Sequence, residues 1–257
     1  MPLAVPVLRR VQVLARYPHL GRGFTQGLLC DGRGDRDGSD GSMVWESTGE
    51  YGISVLRRYR LGADRDEDCG LVPPEMFAEG ICPAGDDGLW QLTWREGVAL
   101  RWRLDPLTLV EQVAYDREGW GICAAGDCVM TSDGSSELVR RDPVTLRPLG
   151  TVVAHCGDRS VTGLNDLAWS GGLVWANVMA RPYLAGIDPA TGSVVEVVDA
   201  RPVAERHWRT PQAVMNGIAA LPAPAEFLLT GKTWRWIYHV RLAAARSRRN
   251  PLRLLTG

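Results

Sequence analysis

A polar residue that leads into a short apolar strand and a turn occurs five times along this chain. It stands at Gln26 in TQGLL, Glu79 in AEGIC, Glu118 in REGWGIC, Asn165 in LNDLAW and Asn216 in MNGIAA. The intervals are 53, 39, 47 and 51 residues. A second strand follows each time, ending in WESTG, LWQLTW, VMTSDGS, VWANVM and LLTGKTW, and then a third, such as VLRRYRL, ALRWRLDP and IYHVRL. In the middle repeats DPLTL, DPVTL and DPATG turn the chain into a fourth. No window keeps a 3.6-residue apolar period over three turns, so the chain reads as all-β. Four strands at a period of about 40–50 residues are the mark of propeller blades. The expectation is a five-bladed β-propeller of four-stranded blades around a central channel, one domain over 1–257 with a basic, solvated tail at about 244–257.

In a propeller the first strand of each blade faces the axis, so equivalent positions converge. Gln26, Glu79, Glu118, Asn165 and Asn216 are therefore expected to ring the channel mouth. The strand ends carrying Trp94, Asp133, Asn177 and Lys232 are expected around it. Only four asparagines occur in the chain, and Asn165, Asn177 and Asn216 fall in these places.

Lys232 is the one lysine beside 28 arginines. Gly231-Lys232-Thr233 ends like a phosphate-binding loop, but Glu226 stands where that loop needs its first glycine, and bulky apolar residues fill the interval. Nucleotide binding is set aside. A net charge of −1 argues against nucleic acid, and no apolar run approaches the 18 or so residues of a membrane span. The six cysteines form no C-x-x-C pair and share no ligand spacing with the four histidines, so no metal site is expected. Cys123 and Cys128 flank AAGD and could face each other across a hairpin. With no zinc cluster and no Ser–His–Asp set in the ring, what remains is proton transfer by a carboxylate, amide and ammonium hydrogen bonding, and an aromatic pocket.

FTQGL, ESTGEYGIS, FAEGI, QLTW, EGWG, SDGS, LND, ANV, IDP, NGIA and TGKTW stand in that order across nearly the whole chain. Together they resemble the plant- and bacterial-type glutaminyl-peptide cyclotransferases, five-bladed propellers that turn an N-terminal glutamine into pyroglutamate and release ammonia. The resemblance implies that Glu79 shuttles the proton and that Lys232 stabilises the carbonyl oxygen. It places Phe24, Gln26, Trp94, Trp120, Asn165 and Lys232 at the pocket; Phe77, beside Glu79, is expected to limit solvent there, and Glu118, Met179 and Asn216 are further substrate-binding candidates. Trp94 and Trp120 wall in the glutamyl side chain, and Gln26 and Asn165 orient its amide. No cofactor is implied, though a structural cation in the channel is compatible. The implied partners are peptides or proteins with N-terminal glutamine, met by a monomer.

Two places depart from the family pattern. LNDLAW replaces the usual LNELE, with Asp166 and Ala168 for the two glutamates, and Met179 replaces a tryptophan after ANV. These departures motivate the alternative of a non-catalytic propeller that binds peptide N-termini. The Gly/Asp-rich insertion at 31–41, with its Arg33-Gly34-Asp35, reads as a solvated turn. Without a charged start and long apolar region at the N-terminus, the expected location is cytoplasmic, or secreted or periplasmic if translation starts upstream.

Overall fold

A computed structural model describes residues 5–31, 43–207, 210–245 and 251–256. Five four-stranded blades surround a channel. Their inner strands are Thr25–Cys30, Ala78–Pro83, Ile122–Ala125, Leu164–Ser170 and Met215–Ala220. Each is followed by an antiparallel second strand: Met43–Thr48, Gly88–Thr93, Cys128–Thr131, Leu173–Val178 and Glu226–Gly231. Burial falls outward. The second strand of blade 2 is buried throughout, whereas its outer strand, Leu107–Ala114, is exposed at most positions. Fully buried strands read as continuous apolar runs, and edge strands bury one face at most.

The fifth blade is completed by the other end of the chain. Its third strand, Trp236–Ala244, pairs antiparallel with Val7–Pro18, from Arg9 opposite Ala244 to Pro18 opposite Trp236. The same N-terminal strand also pairs in parallel with the outer strand of blade 4, Val194–Asp199, and Arg9 makes a two-pronged ion pair with Glu196 at 3.0 and 3.1 Å. Blades 4 and 5 thus merge into one eight-stranded sheet. The ring cannot open at this seam without losing a full strand of hydrogen bonds.

Five apolar clusters fill the five interfaces between neighbouring blades. Leu28, Val44 and Tyr59 of blade 1 meet Ala219, Leu228 and Ile237 of blade 5. Trp45 and Leu56 meet Leu100 and Trp102 of blade 2. Similar sets join blades 2 and 3, 3 and 4, and 4 and 5.

Two expectations change. Cys123 pairs with Met130 and Cys128 with Ala125, so the two thiols do not face each other, and all six cysteines are free. The C-terminal end is not wholly solvated: Leu252–Thr256 is a short helix, and Leu255 is buried among residues of blades 3 and 4. Apolar residues in PLRLL outweigh its single charge, Arg253. Arg246, Arg248 and Arg249, and the insertion apart from Asp31, lie outside the described residues.

Candidate active site

Four of the five inner strands break register at one place: between Thr25 and Gly27, Ala78 and Ile81, Leu164 and Leu167, and Met215 and Ile218. A bulge re-aims the side chain it carries. Here it carries Gln26, Glu79, Asn165 and Asn216. Glycine follows three of them because the inner strands nearly touch. A Cβ on Gly27 would stand 2.8 Å from the Ile81 nitrogen, and one on Gly80 2.8 Å from the Trp120 oxygen. Blade 3 has Gly121 at this place, pressed on the Asn165 carbonyl. Its ring member is therefore Trp120. Glu118 lies two residues earlier, which corrects the sequence expectation; EGWG offers two residue–glycine pairs, and only the second reaches the axis.

Blade 4 lacks the glycine and carries Asp166 instead. Its buried carboxylate reaches across the channel and accepts the N–H groups of Ile218 (2.9 Å), Leu28 (3.3 Å) and Leu167 (3.0 Å). It ties blades 1, 4 and 5 together beneath the ring. Burial pushes this carboxyl up to about 8, against the three donors that favour its charged form.

Above this plug is a cavity of about 360 Å³. Phe24, Phe77, Trp94, Trp120 and Met179 form its walls, and Gln26, Glu79, Asn165 and Lys232 supply its polar groups. The volume lies at the small end of ligand sites. Phe77 packs edge-on to Phe24 at 6.2 Å and tilted to Trp94 at 5.6 Å. Gly49 lies flat against the back of Phe77 and Gly134 against Trp120, so neither aromatic can retreat.

Glu118 and Asn216 do not line the cavity. One oxygen of Glu118 accepts the indole N–H of both Trp94 (3.0 Å) and Trp120 (3.2 Å), and the other accepts from Arg95 at 2.9 Å. Arg95 in turn covers the outer face of Trp94 at 3.7 Å. Glu118 is thus a clamp behind the two indoles. Asn216 donates to the Gln26 side-chain oxygen at 3.0 Å, and Gln26 donates to Glu79 Oε1 at 2.8 Å. Gln26 thereby aims the Glu79 carboxylate while itself lining the cavity. Asp133 is held by Arg117 at 2.9 Å, and Asn177 is fully buried beneath the surface with its amide unpaired. Trp169 lines a different recess among the inner strands, and Trp208 lies outside the described residues.

Three polar groups face the cavity without a protein partner among the described residues: the second oxygen of Glu79, the Lys232 ammonium and the Asn165 amide, whose Oδ1 is buried and unpaired. Lys232 rests its ammonium 4.7 Å from the Phe24 ring centroid. Burial pushes the Glu79 carboxyl well above its ordinary value; the Lys232 ammonium opposes this, and Asp166, Glu96 and Glu118 add to it. Burial likewise lowers Lys232, with Glu79 opposing. Both are moved towards the range in which a group can take up and return a proton near neutrality. Among the described residues, no three His, Cys, Asp or Glu side chains gather as metal ligands.

A loop network delivers this machinery. Glu46, fully buried, accepts from His19 (2.8 Å), Thr25 (2.7 Å), Tyr59 (2.7 Å) and Arg57 (2.8 and 3.1 Å). His19 also bonds the Trp234 carbonyl at 2.9 Å, and Arg57 donates to the Leu20 carbonyl at 2.6 Å. The segments bearing Phe24 and Lys232 are thus pinned to one buried carboxylate. Glu46 opens the ESTGEYGIS motif, yet nothing local in the sequence gives it a role; the arginine-rich strand that follows, VLRRYRL, is the one hint of its partner.

These features define a propeller with a small aromatic cavity that gathers a carboxylate, an ammonium and an amide where its inner strands converge. The chain belongs to the glutamine cyclotransferase family, whose model matches residues 3–242. It is similar to a glutaminyl-peptide cyclotransferase of Arabidopsis thaliana, 29% identical over 242 residues that make up 93% of this chain and 73% of that protein. It is also similar in structure to the glutaminyl cyclase of Myxococcus xanthus, with a TM-score of 0.83, 32% identity, and coverage of 93% of this chain and 99% of the other.

Proposed function

We propose that this cavity cyclises the N-terminal glutamine of peptides or proteins to pyroglutamate, releasing ammonia. The observation that carries the reading is the set of three unpaired groups, a carboxylate oxygen, an ammonium and an amide, inside a small aromatic enclosure. The neutral α-amine of the substrate attacks its own side-chain amide carbon. Attack is intramolecular, so the enzyme's task is to hold the near-attack conformer and move protons. Glu79, aimed by Gln26, takes the proton from the amine and hands it to the departing nitrogen, which leaves as ammonia. Lys232 donates to the carbonyl oxygen as negative charge develops there. Asn165 Oδ1 accepts an N–H of the substrate and fixes its rotation. The aromatic walls exclude water and hold the aliphatic part of the side chain. Glu118 and Asn216 act as positioning residues through the tryptophans and Gln26. No metal takes part in this scheme.

Incubating the protein with a Gln-initiated peptide tests the proposal. Release of ammonia with the matching mass loss is expected, unchanged by a chelator, and an Nα-acetylated peptide is expected to be inert. Binding without turnover leaves only the alternative, a propeller that recognises peptide N-termini.

A further inference from the structure

A second cavity, about 430 Å³, opens beside the first. The two share a wall. Phe24 and Lys232 line the first, whereas Arg22 and Thr233 line the second. The Thr233 N–H donates to the Gly23 carbonyl at 2.9 Å and closes the wall between them.

Four arginines line this second cavity, Arg16, Arg22, Arg206 and Arg235, and among the described residues no Asp or Glu does. Many arginines elsewhere are matched to carboxylates, as at Arg9, Arg57, Arg58, Arg117, Arg201 and Arg241, and among the described residues the unmatched ones, such as Arg65, Arg103 and Arg159, do not share a cavity. None of these four has an ion-pair partner or a side-chain hydrogen bond among the described residues. Trp236 holds two of them together: the guanidinium carbon of Arg16 stands 4.7 Å from its ring and that of Arg235 5.4 Å. Stacking on an indole face leaves the N–H forks free. Gathering like charges without a counter-charge is unfavourable in a chain of net charge −1, unless an anion joins them in function.

We infer that this cavity is a subsite for a side-chain carboxylate of the substrate, in the first few residues after the N-terminal glutamine. The inference rests on the proposed reaction in the first cavity. A substrate held there by its first residue must run out across the rim, and an extended chain advances about 3.3–3.6 Å per residue. Only Gly23 stands between Arg22 and Phe24 in the chain, and Lys232 and Thr233 are adjacent, so the neighbouring cavity is within reach of the next few side chains. Guanidinium forks match carboxylate geometry. The subsite selects acidic peptides and leaves the chemical step alone, so its effect falls on KM.

The test uses three C-terminally amidated peptides: Gln-Gly-Glu-Glu-Ala, Gln-Gly-Gln-Gln-Ala and Gln-Gly-Lys-Lys-Ala. The acidic peptide is expected to exceed the neutral one in kcat/KM by about tenfold, with the basic one lowest, and the spread is expected to shrink at high salt because exposed charges are screened. In the double variant Arg16→Gln/Arg235→Gln, its folding checked by melting temperature, the acidic-to-neutral ratio is expected to fall towards one. The acidic and neutral peptides are also prepared with pyroglutamate in place of the first residue and titrated by calorimetry. Charge-selective binding that the double variant loses supports the subsite even where no peptide is cyclised, which separates it from the reaction. Equal behaviour of acidic and neutral peptides in both assays overturns the inference. So does a preference that survives in the double variant. If inorganic phosphate binds at the arginines while the peptides are indistinguishable, the cavity serves a small free anion and the peptide reading fails.

Discussion

Replacing Glu118 by glutamine separates the clamp from the chemistry. In the structure Glu118 touches no cavity space; it accepts from Trp94, Trp120 and Arg95. Glutamine can keep its oxygen towards the two indoles, but its amide nitrogen then faces the Arg95 donor. The Arg95 pair is largely exposed, at 59% and 39%, so its loss costs little. Poorer bonds to two indole N–H groups, each with a net worth of about 0.5–1.5 kcal/mol, set the scale. A combined loss of about 1 kcal/mol corresponds to about fivefold in an equilibrium. Because the walls hold ground state and transition state alike, KM is expected to rise about fivefold with kcat little changed. Steady-state kinetics on a Gln-initiated peptide measure both constants, and a melting curve checks the fold. A fall in kcat of about 10² with KM unchanged would refute the clamp and make Glu118 a proton carrier.

Lys232→Gln is expected to lower kcat by about 10²–10³, the scale of a lost oxyanion donor. It also removes the charge that holds the Glu79 carboxyl down against burial, so the acid limb of kcat/KM, already above the ordinary carboxylate range, is expected to move to higher pH. Lys232→Arg keeps that limb in place but loses rate by misfit in the enclosure; an arginine enzyme as fast as the parent contradicts this. Met179→Trp replaces a three-rotor wall by a rigid one and is expected to lower KM several-fold, measured at constant kcat. An unchanged KM in the folded variant contradicts that expectation. Glu46→Gln leaves Arg57 beside an uncharged partner in a buried site. A loss of about 3–5 kcal/mol, or about 6–20 °C in melting temperature, is expected. Burial alone would raise the Glu46 carboxyl, but His19, Arg57 and Thr25 hold it well below its ordinary value. Its contribution is therefore complete above the ordinary carboxylate pKa and lost as pH falls below it, so the variant's melting temperature is expected to decline less on acidification.

The blade count was legible because each blade repeats one local pattern, a polar residue, an apolar strand and a turn. The closing strand was not assigned. VLRRVQVLARYP alternates like a strand, but its partner opposite Val11 is Leu242, at the far end of the chain, and no local signal names it. The cavity residues were found through family motifs and ring phase together. Ring phase failed at Glu118, where two glycines gave two possible registers. Asp166 was read as a departure from family pattern, although its place in the glycine series, where Gly27, Gly80, Gly121 and Gly217 stand in the other blades, marked it as the residue that fills the axis. The partners of Glu46 come from sequence positions as far apart as His19 and Tyr59, and only the closed ring shows that they share one carboxylate.

Single-turnover and steady-state rates of Glu79→Gln on a Gln-initiated peptide test the central claim most directly. The substitution keeps the size of the side chain and an oxygen for the Gln26 donor, so the cavity and the fold are expected to persist. It removes the proton carrier. The account expects a rate lower by about 10² or more, with peptide binding retained. A Glu79→Gln enzyme that releases ammonia at nearly the parent rate would contradict it.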